Sequence, residues 1–329
     1  MDKRSWTLDF SMPLSPERDR PNLARSGVKR VMLPFAIAAR HPDQVAWLGQ
    51  NGYAVILRME QESYHADLSY TNGRIVPTPG GKSEHDKAAE ALTYLHRAVR
   101  DAPIEGVAIG VEPDLPRLPY YNYRGWLDDK VNGDGSVSAG AKRHKVYFAT
   151  MHRAIKGAFP QMHTISGGLS CPFRAEGDMP YPGYVAWRDE VAEVYSEADT
   201  NAFHAYTYNA ISPCPDQLRL QFIVQFGASM WHKRIDLLEL GVLFEPENGV
   251  RKLGLEWQLR RMQAYIDFAN WLDLPWQRDV DQDGHPYKTG GRVRLYSPFV
   301  SNGVPSAWPE EYLLDRPEVY DLLRRHVDQ

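Results

Sequence analysis

Two glutamates stand at the ends of runs that read as buried β-strands. The first run is Ile104-Glu-Gly-Val-Ala-Ile-Gly-Val-Glu112, followed by Pro113 and Asp114. Alternation at period two puts Val107, Ile109 and Val111 on one face, and Ala108, Gly110 and Glu112 on the other. The second run is Arg234-Ile-Asp-Leu-Leu-Glu239-Leu-Gly241. A carboxylate that finishes an apolar run is costly unless it is paired or used. A pair of such groups is what hydrolysis of a glycosidic bond needs, one to protonate the leaving oxygen and one to attack the anomeric carbon or activate water. The bland alternative is two glutamates, each held in a salt bridge at its own strand end. Further polar residues close neighbouring runs. Phe203-His204-Ala205-Tyr206 ends one of them, and its His204 is as readily a structural residue as a substrate contact. Glu60 and Glu62 end another, while Glu245 and Glu247 fall in a loop and are less fixed.

The elements that must hold these residues recur as a short β-like run followed by a helical pattern. The runs are Trp6–Met12, Val28–Phe35, Tyr53–Glu60, Ile104–Glu112, His163–Leu169, Thr200–Tyr206, Arg234–Gly241 and Val293–Phe299. Each is rich in β-branched or aromatic residues and bounded by turn formers. Helices are predicted over Pro42–Gln50, Ser83–Arg100, Lys142–Ala158, Trp187–Glu197, Pro215–Phe226 and Leu253–Leu272. The first stops at Asn51-Gly52. The second opens with Ser-Glu-His-Asp, a capping-box pattern, and aligns Ala88, Leu92, Leu95 and Val99. The last aligns Leu255, Leu259, Met262, Ile266 and Ala269. Eight strand-like runs, six of them followed by a helical pattern, predict a single (β/α)8 barrel over residues 1–329, with extended loops on its catalytic face. A doubly wound sheet is the alternative, but no G-x-G-x-x-G or P-loop follows a strand. The loop at 113–140 carries Tyr120, Tyr121, Tyr123 and Trp126, and 273–292 carries Trp276. Loops that follow barrel strands shape substrate clefts.

The order of the segments Gly110-Val111-Glu112-Pro113-Asp114-Leu115, Phe203-His204-Ala205-Tyr206 and Leu238-Glu239-Leu240-Gly241 resembles clan A of the glycoside hydrolases. The resemblance covers the order and spacing of strands along most of the chain. It implies a (β/α)8 barrel in which Glu112 after strand four is the acid/base and Glu239 at the end of strand seven is the nucleophile. It also implies a retaining double displacement that needs no metal or cofactor. His204, Tyr206, Trp126, Tyr121, Glu60 and Tyr296 are then the expected substrate contacts, and the expected partner is an oligosaccharide or polysaccharide. One departure stands out. Val111 occupies the place where the clan usually has an Asn that hydrogen-bonds the sugar 2-hydroxyl, a contact that strengthens in the transition state. The change points to a different C2 group, to another donor, or to a non-catalytic carbohydrate-binding barrel that has lost turnover. A metal-dependent barrel is a third reading, but no His-x-His ends an early strand and no H-E-x-x-H occurs.

Composition narrows the classes further. The 329 residues carry 38 Lys+Arg against 42 Asp+Glu, a net charge of −4, which argues against a nucleic-acid partner. No run of 18 apolar residues predicts a membrane span. The first residues lack an apolar stretch long enough for a signal peptide, and localisation is left open between the cytoplasm and export with a leader removed. Nine Trp and 18 Tyr suit either a large core or a sugar-stacking cleft. Trp187 and Trp231 are read as core or helix surface before platform. Cys171 and Cys214 follow adjacent predicted strands and read equally as a loop disulfide or two thiols. Asp279-x-Asp281-x-Asp283-Gly284 opens like a calcium loop, but position twelve is Gly290 in place of the bidentate Glu, so a solvated turn is expected.

Overall fold

The computed structural model describes residues 5–59, 68–71, 74–77, 81–111, 139–168, 182–208, 234–243, 255–272, 293–298 and 316–327. In chain order the elements are β1 (Ser5–Trp6), β2 (Leu8–Asp9), α1 (Asp19–Ser26), β3 (Arg30–Pro34), α2 (Phe35–Arg40), α3 (Pro42–Gln50) and β4 (Ala54–Met59). Then come β5 (Leu68–Thr71), β6 (Arg74–Pro77), α4 (Glu84–Asp101), β7 (Ile104–Val111), α5 (Ala139–Ala158), β8 (His163–Gly168) and α6 (Pro182–Tyr195). The chain continues through β9 (Thr200–Tyr208), β10 (Arg234–Leu243), α7 (Leu255–Leu272), β11 (Val293–Pro298) and α8 (Pro317–Val327). The fold is a (β/α)8 barrel. Its eight strands are the eight runs read from the sequence, with β1 and β2 forming the first and the antiparallel hairpin β5–β6 standing apart. The chain divides into two compact units. One comprises Met1–Leu33, Cys171–Asp178 and Phe203–Gln329; the other comprises Pro34–Ser170 and Met179–Ala202.

In the first unit, the opening strand is split because it serves two neighbours. Ser5 and Trp6 pair in parallel with Leu295 and Tyr296 of β11, and the Thr7 N–H donates to the Tyr296 carbonyl at 2.9 Å. Leu8 and Asp9 then pair with Val31 and Met32 of β3, continued by Phe10 N–H on the Met32 carbonyl at 3.1 Å. Strands β10 and β11 are also parallel. Arg294 clasps the fully buried Asp236 carboxylate through Nε at 2.9 Å and Nη2 at 2.6 Å, joining β11 to β10. Breaking a buried pair by removing one partner strips the remaining charge of its two-pronged ion pair in a site cut off from water. Arg294→Met should therefore cost about 3–5 kcal/mol, read as a fall in urea midpoint at constant slope. Asp236→Asn with Arg294→Met together should recover part of that loss.

Helix α7 buries a rotated version of the predicted stripe. Met262, Ile266 and Ala269 are buried as expected, but Leu255 and Leu259 are only half-buried. Trp257, Arg261, Tyr265 and Phe268 are buried instead. Arg261 Nη2 donates to the Tyr265 hydroxyl at 3.4 Å, and the Gln258 side chain accepts the Arg316 N–H at the start of α8.

In the second unit, β4, β7 and β8 read as near-continuous buried runs, the pattern of parallel strands covered on both faces. Val55–Met59 pairs with Ile104–Ile109, and Gly106–Val111 pairs with His163–Gly168. Helix α4 begins at the expected cap. The Asp86 N–H donates to Ser83 Oγ at 3.2 Å, and the Asp86 carboxylate accepts the Ser83 N–H at 3.0 Å. The buried stripe, however, is Ala88, Ala91, Leu95 and Ala98, and Val99 is exposed. Tyr94 decides the rotation, because its ring packs edge-on against Phe35 with centroids 4.7 Å apart. Small Ala side chains give less to bury than Leu92 or Val99, but they let the helix approach its neighbours closely. Near the start of β8, Asp199 accepts the Thr164 N–H at 2.8 Å and the Lys156 ammonium at 3.0 Å. Burial pushes its carboxyl up, but these partners outweigh that and hold it below its usual value.

Among the described residues, three helices escaped the sequence reading. Helix α1 contains Pro21 and Asn22 and lacks a helical apolar stripe. Helix α2 starts at Phe35, which the periodicity assigned to the preceding strand. The third is α8. The predicted helix Pro215–Phe226 lies outside the described residues.

Candidate active site

Strand β7 ends at Val111, opposite Gly168 of β8, so Glu112 is the first residue after the fourth barrel strand. Glu112 itself lies outside the described residues. The strand does not run straight to its end. Gly110 has φ of 97°, a left-handed conformation that side-chain-bearing residues rarely adopt. A Cβ there would also meet His144 Cε1 at 3.0 Å. The period-two alternation only places Gly110 on the face it shares with Ala108 and Glu112. Its backbone conformation is the larger reason for glycine.

Glu239 lies within β10, which continues to Leu243 rather than stopping at Gly241. The register between β10 and β11 changes just where Glu239 sits. Leu237 pairs with Tyr296 and Leu240 with Pro298, so three steps on β10 face two on β11. The opposite shift lies between Ile235 and Asp236, where one step on β10 faces two on β11, so the pairing returns to its starting register at Leu240. No periodicity argument could have found this irregularity, because a change of pairing partner leaves the apolar run intact.

The other expected residues divide by position. His204 lies in β9 and is fully buried. Tyr206 lies in the same strand. Tyr296 lies in β11, buried beside Trp6 with ring centroids 5.4 Å apart and planes tilted by 32°. Glu60, Glu62, Tyr120, Tyr121, Tyr123, Trp126, Trp231, Glu245, Glu247 and Trp276 lie outside the described residues, as do Cys171, Cys214 and the Asp279–Gly284 turn. Trp187 is 1% exposed and belongs to the core. Among the described residues, no three His, Cys, Asp or Glu side chains group to hold a metal ion. Among them, no helix is long and apolar enough to cross a membrane. A groove of about 450 Å³ between α4 and α5, lined by His85, Leu92, Thr150 and Arg153, belongs to the helix layer.

A cluster the sequence did not announce lies beside the end of β7. His144 of α5 and Tyr195 of α6 share a hydrogen bond of 2.8 Å between Nε2 and the hydroxyl. Tyr147, Phe148 and Trp187 box the imidazole, with centroids 5.6–6.3 Å away. Burial pushes the His144 pKa down to about 3. The unfolded chain therefore takes up a proton near pH 6.5 that the native state refuses, and stability falls as pH drops from about 6.5 toward 3. The expected slope is on the order of 1 kcal/mol per pH unit. Urea denaturation of wild type and His144→Gln at pH 4.5 and 7 checks this, since Gln keeps a polar partner for Tyr195 but cannot titrate. Equal pH losses in the two proteins would contradict it.

Comparison with solved structures gives the same architecture. A glucosidase from Croceicoccus marinus superposes with a TM-score of 0.59 at 11% identity, covering 99% of this chain and 68% of that one. A GH10 structure from Paenibacillus barcinonensis gives 0.57 at 11% identity, covering 98% and 94%. The chain shares their fold. A GH128 (subgroup II) endo-beta-1,3-glucanase from Sorangium cellulosum gives 0.50 at 13% identity, covering 97% of both chains. No protein-family model and no curated protein sequence matches the chain.

Proposed function

We propose that this protein is a retaining glycoside hydrolase formed by one barrel over residues 1–329, with Glu112 as acid/base and Glu239 as nucleophile. The carrying observation is the shift of register between Leu237 and Leu240 of the seventh barrel strand, which spans Glu239, a residue singled out by its chemistry. Further support comes from the left-handed Gly110 two residues before Glu112, and from the structural likeness to a glucosidase and a glucanase. Fold alone hosts many chemistries, so the assignment rests on the residues.

In the first step Glu112 gives its proton to the leaving glycosidic oxygen while a Glu239 oxygen bonds to the anomeric carbon. In the second, Glu112 takes a proton from water, which displaces Glu239 and restores the original configuration. Glu60, Tyr121, Trp126 and Tyr206 are the proposed sugar contacts, whereas His204 and Tyr296, expected among them, are fully buried and belong to the packed interior; the substrate is an oligosaccharide or polysaccharide. Val111 favours a second reading, a carbohydrate-binding barrel without turnover, because valine cannot hydrogen-bond a sugar 2-hydroxyl.

A panel of aryl glycosides and polysaccharides that includes 2-acetamido, mannosyl and furanosyl types separates the two readings. Turnover with the first-formed sugar in the substrate's anomeric configuration is expected. Saturable binding with no product across the panel would support the second reading and overturn the first.

A further inference from the structure

We propose that His144 and Tyr195 are positioning residues that fix the end of β7, and through it the direction in which the chain carries Glu112 toward the substrate. The proposal rests on Glu112 being the acid/base. Gly110 and Gly167 lie side by side on β7 and β8, and each is closed off by one member of the pair. A Cβ at Gly110 would meet His144 Cε1 at 3.0 Å. A Cβ at Gly167 would meet the Tyr195 hydroxyl at 2.9 Å and the Ile109 carbonyl oxygen at 2.9 Å. The two side chains thus fill the space that residues on the two strand ends would otherwise occupy, and their 2.8 Å hydrogen bond locks α5 to α6 across it.

The pair is well built for this work. Both residues are fully buried, and Tyr195 also packs against Phe148 with centroids 4.7 Å apart. Neither ring has room to change rotamer without opening the packed layer. Gly110 adopts its left-handed conformation without strain, and His144 Cε1 occupies the space beside its Cα where a side chain would start. Val111 and Glu112 follow directly in the chain, so a shift of the Gly110 backbone moves the point from which Glu112 departs. Displacement of about 1 Å at a reacting group costs up to ~100-fold in rate.

Ordinary core packing and positioning differ in what they do to catalysis. Core packing lowers stability and spares the chemistry of the folded fraction. Positioning penalises only steps that use the Glu112 proton, so the loss must depend on the leaving group.

The test compares wild type, Tyr195→Phe, His144→Gln, His144→Leu and Glu112→Ala. Each is assayed for kcat/KM on a dinitrophenyl glycoside, which needs no protonation, and on the phenyl glycoside of the same sugar. Tyr195→Phe removes one hydroxyl and leaves the ring packing in place. It should lose about 10-fold or more on the phenyl substrate and under about 3-fold on the dinitrophenyl one. The alkaline limb of its pH profile should also move. His144→Gln should fall between wild type and His144→Leu. Equal losses on both substrates, or none, in Tyr195→Phe would overturn the positioning role while Glu112→Ala retains its strong leaving-group dependence. If Glu112→Ala itself shows no such dependence, or wild type turns over neither substrate, the acid/base reading fails and the proposal falls with it.

Discussion

Glu239→Gln is expected to lose about 10⁴-fold or more in kcat on any true substrate, with fold and ground-state binding largely intact. The amide matches the carboxylate in size, so the backbone pairing of β10 with β11 from Leu237 to Leu240 is expected to persist. What disappears is the lone pair strong enough to displace a glycosidic oxygen. Gln also lacks the negative charge that stabilises the oxocarbenium-like transition state. Initial rates on the best panel substrate, with binding measured calorimetrically, check this. Undiminished turnover in Glu239→Gln would remove Glu239 as nucleophile and with it the double displacement.

Glu112→Ala should show a different signature, because the acid/base acts in both steps but is dispensable in one. On substrates with poor leaving groups the first step should slow by about 10²–10⁴-fold, the usual worth of general acid catalysis. An activated aryl glycoside departs without protonation, so its first step is largely spared and the glycosyl-enzyme accumulates. Azide needs no base to attack that intermediate. It should raise the rate and give a glycosyl azide of retained configuration, detectable by NMR. Equal losses on good and poor leaving groups with no azide product would take Glu112 out of the role.

The strands were legible because each is a short apolar run bounded by turn residues, and burial on both faces makes such runs conspicuous. The cap at Ser83 was legible because its chemistry is local, three residues from donor to acceptor. Faces were less so. In α4 the pattern Ala88, Leu92, Leu95, Val99 obeys helical spacing, yet the protein buries the neighbouring stripe because Tyr94 has a partner in Phe35. Such a choice is made by tertiary packing. The sequence singles out Glu112 and Glu239 as carboxylates closing apolar runs, and the catalytic role proposed for them comes from that chemistry. The features beside them were not legible, since a left-handed glycine looks like any small residue and a shift of register leaves composition unchanged. His144 and Tyr195 meet across 51 positions, beyond any local pattern.

The most direct test of the account is the separation of the Glu112 and Glu239 carboxyl groups in a crystal structure of the full chain. Retention by double displacement predicts about 5–5.5 Å between them. A separation of about 6.5–9.5 Å would instead fit an inverting enzyme with a water between the two groups, and anything much larger would contradict a shared role in cleaving one bond.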